Sequence, residues 1–318
     1  MGSYLIRRLL INLGVFWVIS VAIFALTRAT PGDPIAMMIP PELLNSGSAE
    51  YIAARRAELG LDQPVVLQYL RWAGSALTGD LGYSMVNGRP VTELLLERLG
   101  PTIELMGVGM ICSILIAFPL GILAAVRRNT FVDYLATFFS LGIVAFPVFF
   151  IALVAIFVFT LQFPILPSSG ITDPTNPTLL NTLRHLVLPA LILGIGNSGR
   201  LMRYVRSSLL SELDSDYVRT ARAKGASPRL AVLHGLRNSL IPVITILASD
   251  LSHLVAGAVV IEQIFAWPGM GRLAVTAVAQ NDYSVIIGFA LVGAVMVLAS
   301  NLLADILYTV VDPRVRLQ

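Results

Sequence analysis

Residues 215–242 read SDYVRTARAKGASPRLAVLHGLRNSLIP, a polar, arginine-rich stretch set between long apolar runs. Two short helical patterns meet in it at Gly225, Tyr217 to Lys224 before and Pro228 to Asn238 after. Glycine adopts the left-handed conformation that ends a helix, Ser227 is placed to cap the next one, and Pro228 falls at the first helical position, where its missing N–H costs nothing. The spacing therefore predicts a helix, a sharp turn and a second helix. Arg222, Lys224 and Arg229 crowd the turn among Ala221, Ala223 and Ala226, which are small enough to let another protein's backbone come close.

Working outward, 56% of the 318 residues are hydrophobic and 13% charged, with a mean hydropathy of +0.79. No soluble core of ordinary composition absorbs that much apolar surface, so the chain is predicted to be an all-α polytopic membrane protein. The net charge of +3 is small, and the basic residues sit beside apolar runs as topology determinants rather than forming a nucleic-acid surface. Cys112 is alone and forms no intrachain disulfide. Lys224 is the only lysine and follows no phosphate-binding glycine loop, so any ATP hydrolysis belongs to a partner. Three histidines, no H-E-x-x-H, no cysteine cluster and no G-x-S-x-G leave no catalytic set, metal site or cofactor to nominate.

In chain order, Arg7 and Arg8 precede the first span, Leu9–Leu26, which reads as an uncleaved helix. Residues 29–101 change to Pro, Gly, acids and scattered aromatics, an external subdomain with an amphipathic pattern around Ala49–Leu59. Met106–Val126 is the second span, bent by Pro119 and closed by Arg127 and Arg128. The third, Tyr134–Leu161, is long for one crossing and is expected to tilt or to break near Pro147. After an external link at 162–182, the fourth is weak, running from His185 into Arg200 and Arg203. Leu240–Phe265 and Val285–Val311 make the fifth and sixth. Most of the 22 Arg and Lys then fall inside, with both termini and residues 215–242.

Asp250 and His253 lie one helical turn apart in the fifth span and share a face at bilayer depth. Either they line a solute path and meet a cationic group or chelated metal, or they form a satisfied Asp–His pair at a subunit interface. Asp305 and Glu262 read as structural hydrogen-bonding groups, and Asp133 and Asp312 as flank residues.

Tyr217, Arg219 to Gly225, Leu236, Arg237, Asn238, Leu240 and Pro242 together resemble the cytoplasmic loop of ATP-binding-cassette importer permeases of the dipeptide, oligopeptide and nickel branch. Arg219 stands where the wider family carries an acidic residue. Pro31-Gly32-Asp33-Pro34, Leu59-Gly60-Leu61-Asp62-x-Pro64 and Gly79-Asp80-Leu81-Gly82-x-Ser84 follow that branch's order. Trp267-Pro268-Gly269-Met270-Gly271-Arg272 and Asp312-Pro313-Arg314-Val315-Arg316 are similar to its outer loop and tail. The resemblance implies a type I permease fold with six transmembrane helices and a small external subdomain after the first. It divides the chain into residues 1–101, a core at 102–311 with the coupling loop 215–242, and a tail at 312–318. It also implies a non-enzymatic permease subunit forming half of a pathway for dipeptides or oligopeptides in a bacterial or archaeal inner membrane. The implied partners are a homologous but non-identical permease, two ATPase subunits and an external solute-binding protein. Tyr217, Arg219, Thr220, Ala221, Arg222, Ala223, Lys224 and Gly225 are the implied ATPase contact. Nickel or a metal chelate is the alternative solute. From a different class, an ion-coupled transporter would use Asp250 and Asp305 as coupling acids.

Overall fold

The computed structural model describes residues 2–29, 62–173, 175 and 177–311. In order, the helices are α1 (Gly2–Ala29), α2 (Val65–Leu77), α3 (Val91–Val126), α4 (Phe131–Ala145), α5 (Val148–Ile156), α6 (Leu179–Leu213), α7 (Asp216–Ala223), α8 (Pro228–Ile264), α9 (Met270–Ala279) and α10 (Tyr283–Val311). A wider π-helical segment, Phe157–Gln162, continues α5. No β-strand occurs among the described residues. The strings at 31–34 and 59–61, the pattern at 49–59 and the tail at 312–316 lie outside them.

Five helical stretches are long and apolar enough to cross a bilayer: Ile6–Leu26 in α1, all of α3 and α6, Pro242–Ile264 in α8 and Tyr283–Leu307 in α10. The pair α4 and α5 makes a sixth crossing if its halves are taken together. Helices are what a hydrocarbon solvent leaves available, because each backbone N–H and C=O must find its partner within the segment. The third apolar run breaks at Pro147, and its halves meet at 99°. Phe146 is extended (φ −89°, ψ 133°), as the residue before a proline prefers. Pro147 then opens α5, its carbonyl accepting from Phe150 N at 3.0 Å.

Three boundaries differ from expectation. The helix of the second span begins at Val91, inside the region read as external. Helix α6 runs on past Arg200 and Arg203 to Leu213. The stretches Pro228–Asn238 and Leu240–Phe265, read separately, are one helix of 37 residues. Pro242 lies on its exposed side, where the ring displaces no neighbour.

The described residues form two compact units, those within 11–97 with 274–295, and those within 1–10, 98–273 and 296–318. In the first, Phe24 rests against the rings of Tyr69 and Trp72, and Ser20 Oγ is 2.8 Å from the Tyr69 hydroxyl. The Gly79–Ser84 string is a tight loop in which Gly79 and Gly82 take φ of +86° and +82°. Val91 N bonds back to Gly82 O at 2.9 Å. Buried Asp282 holds the loop, accepting from Ser84 Oγ and from Met85 N at 3.1 Å.

In the second unit α6 is the hub. A side chain at Gly194 would stand 2.6 Å from Cys112 Cβ of α3 and 2.8 Å from Gly109 O. One at Gly199 would stand 2.8 Å from Ser140 O of α4. Ser140 Oγ also donates to Gly199 O at 2.7 Å. Backbones approach this closely because lipid gives apolar faces little reason to associate, and tight packing must do it instead. Gly194→Val should therefore lower the unfolding stability of the detergent-solubilised protein by about 1–3 kcal/mol. Gly107→Val, where an added Cβ meets nothing within 4 Å, should leave the melting curve nearly unchanged.

Candidate functional site

The hairpin forms as its residues dictate. Helix α7 ends in a paired bond, Gly225 N to Arg222 O and Ala226 N to Ala221 O, both 3.0 Å. This closure needs a left-handed residue, and Gly225 takes φ +89°. An added Cβ there meets nothing within 4 Å, so conformation rather than space demands glycine. Ser227 caps α8, its Oγ accepting from Leu230 N at 3.4 Å.

Val218 and Ala231 turn inward and are fully buried, so the two short arms are seated on the bundle. Arg219, Thr220, Arg222, Ala223, Lys224 and Gly225 are exposed, while Ala221 is half-buried. Tyr217 is exposed but bound, its hydroxyl donating to Glu212 Oε2 at 2.6 Å. Partial burial and that bond hold its phenol above the usual value. Arg219 turns back to Asp216 Oδ1 and Asp214 O, each at 3.4 Å.

Two ion pairs brace the base of the hairpin. Arg128 donates to both oxygens of Asp214, at 3.1 and 2.8 Å. Both side chains are more than half exposed, so the pair contributes at most about 1 kcal/mol. Asp133, read as a flank residue, is instead 3% exposed. It takes a two-pronged contact from Arg206, Nε to Oδ1 at 2.5 Å and Nη2 to Oδ2 at 2.8 Å, and accepts from Asn129 N at 3.0 Å. Asp133 thus ties the α3–α4 turn to α6.

Asp250 is buried, and its partner is Arg200 of α6, not His253. His253 is exposed on the same helix, and no bond joins the two. Arg200 was counted among the inner flank charges, which hid it. Nothing in the sequence marked it, because the helix was expected to close near Arg200 and its acid lies 50 residues away on another helix. Glu262, fully buried, accepts from Thr102 Oγ1 at 2.6 Å, Gly271 N at 2.7 Å and Arg272 N at 3.2 Å. It thereby caps the start of α9 and fixes the Trp267–Arg272 loop, where Trp267 is buried with Nε1 donating to Pro101 O at 2.9 Å. Asp305 lies 3.4 Å from Arg8 Nε. At the N-terminal end of α6 an open cleft of about 410 Å³ is lined by Thr172, Asp173, Asn181, Arg184 and His185, among others.

A multi-helix membrane bundle carrying an exposed, glycine-closed hairpin between its two most intimately packed helices is the architecture of a transporter's membrane subunit. The chain belongs to the family described as binding-protein-dependent transport system inner membrane component, whose profile matches residues 117–317. The profile of that family's N-terminal region matches residues 1–106. A Brucella suis biovar 1 protein named as a peptide permease is 44% identical over 319 residues, covering 99% of each chain. The oligopeptide transport system permease protein AppB of Bacillus subtilis is 40% identical, and the glutathione transport system permease protein GsiC of Escherichia coli K12 is 36% identical. Each of these also covers 99% of both chains. A crystal structure of an amino acid ABC transporter with histidines superposes with a TM-score of 0.53 at 15% identity, over 68% of this chain and 94% of that one. The type I permease fold and the multi-pass placement in a membrane follow.

The Asp133–Arg206 contact supplies its own test. Asp133→Ala and Arg206→Ala should each destabilise the solubilised protein by about 1–3 kcal/mol, because each leaves a partly buried charge without its partner. The double variant should lose clearly less than the sum in a thermal double-mutant cycle.

Proposed function

We propose that this chain is one permease subunit of an ATP-driven importer of peptides, enclosing half of the pathway. A homologous, non-identical permease encloses the other half, and two ATPase subunits and an external solute-binding protein complete the assembly. The observation that carries the reading is the hairpin: small residues and cations presented outward at a turn whose shape is set before any partner arrives. Ala223 and Gly225 admit a partner backbone, Arg222, Lys224 and Arg229 offer cations, and half-exposed Leu230 adds apolar surface. Tyr217, Arg219, Thr220 and Ala221 shape or flank that contact. The three relatives named above are peptide, oligopeptide and glutathione permeases, which favours peptides over a nickel chelate. Both termini and the hairpin face the cytoplasm in this arrangement, and ATP-driven closure of the ATPases moves the hairpin and, through α6 and α8, the pathway.

Two measurements test the reading. With Cys112 replaced by serine, Ala223→Cys should react with a membrane-impermeant maleimide in inside-out vesicles and not in right-side-out ones; the reverse pattern would refute the orientation. Gly225→Val, which resists positive φ, should reduce ATP-dependent peptide uptake by at least about tenfold while the protein still inserts. Gly225→Asn, which tolerates that conformation, should retain most of it. Equal uptake by both would remove the hairpin from the mechanism.

A further inference from the structure

A polar stripe follows the seam of α6 and α8. On α6 it holds Asn197, Arg200, Tyr204 and Ser207, at helical spacings that place them on one face. On α8 it holds Thr245, Ser249 and His253, each four residues from the next. All seven are partly or fully exposed. The antiparallel register brings them to matching depth. Arg200 meets Asp250, Ser208 Oγ donates to Ser239 O at 3.0 Å nearer the hairpin, and Leu193 lies against Gly257 towards the outer end. An arginine facing lipid at mid-helix costs about 2.5–3.5 kcal/mol even on the lenient scale, so the stripe faces water or a polar partner.

Within it Arg200 is unlike the rest. Asp250 is 1% exposed, out of reach of a solute, and engages one nitrogen of the guanidinium, Nη2. The Arg200 side chain stays 36% exposed, and among the described residues it makes no other side-chain bond. A guanidinium carries five donors in a rigid fork suited to a carboxylate, so most of this one is unused. At 1.5 Å per residue Arg200 lies about 21 Å along α6 from Asp214, well up from the hairpin. The neighbouring acid also prevents a trap, because a bare cation in a low-dielectric path would hold an anion too tightly to let it pass.

We propose that Arg200 is a specificity-determining residue of the pathway: its free donors take the terminal carboxylate of a passing peptide, and Asp250 is the positioning residue that holds the guanidinium on the stripe. This rests on the peptide-permease reading above.

The test uses the whole transporter in proteoliposomes, with its second permease, ATPases and binding protein. It compares ATP-driven uptake of a tripeptide with that of the same tripeptide amidated at its C-terminus. Arg200→Ala made together with Asp250→Asn, so that no buried carboxylate is stranded, should lower uptake of the free acid about tenfold relative to uptake of the amide. Referring each variant to the unsubstituted complex removes any preference contributed by the binding protein. Arg200→Lys keeps the charge that Asp250 needs, and so the assembly, but loses the fork; it should narrow the preference by about threefold. An unchanged ratio of acid to amide uptake in Arg200→Lys and in the double variant overturns the role of Arg200 and leaves the peptide-permease reading standing. Uptake of neither peptide by the unsubstituted complex overturns that reading and this inference with it.

Discussion

The antiparallel contact of α6 with α8 is the constraint on which the second unit rests. In water, burying leucines such as Leu193, Leu209 and Leu254 would itself contribute about 1.5–3 kcal/mol each. In a bilayer that drive is largely absent, since lipid tails receive a leucine as readily as a neighbouring helix does. What decides the contact is therefore how closely the helices come and in which register. Gly257 admits Leu193 at one end, Gly235 admits Leu209 and Leu213 at the other, and Ser208 bonds to Ser239 near the hairpin. The hairpin joins the same two helices, so its place follows from the seam.

The buried charges obey a different balance. Isolating a carboxylate in such an interior costs several kcal/mol, and each one here is answered by donors. Asp133 has Arg206 and a backbone N–H, Asp250 has Arg200, and Glu262 has a hydroxyl and two backbone N–H groups. Glu262 differs from the others in having no cation in that set. Its donors lie at the start of α9, where the unpaired N–H groups of a first turn already favour an anion. Gly269 and Gly271 are needed beside it, because a Cβ at either would collide with the carboxylate.

Local chemistry was legible in the sequence. The glycine closure at Gly225, the Ser227 cap with Pro228 behind it, and the break at Pro147 depend on neighbours within a turn, and each can be read from a few letters. The family was legible too, because several strings recur in order along the chain. Pairings across the bundle were not. Asp133 and Arg206 are 73 residues apart and Arg200 and Asp250 are 50 apart, and no periodicity links one helix to another. Counting Arg200 as a topology signal and Asp133 as a flank residue gave each a sufficient local explanation, which concealed its partner. His253 shares a helical face with Asp250, yet the side-chain bond Asp250 makes is to Arg200 on another helix. The polar residues up to Asn238 and the apolar run from Leu240 read as separate stretches because composition changes there, yet the backbone continues through Pro242 as one helix.

That unbroken α8 has a mechanical consequence. Its 37 residues make a rod about 55 Å long, capped by Ser227 at one end and held beside Glu262 at the other. A swing of about 5° about either tip carries the opposite tip through about 5 Å, roughly the pitch of one helical turn. No joint lies between to absorb it, and Pro242, lacking one rung of the backbone ladder, is where the rod would flex first.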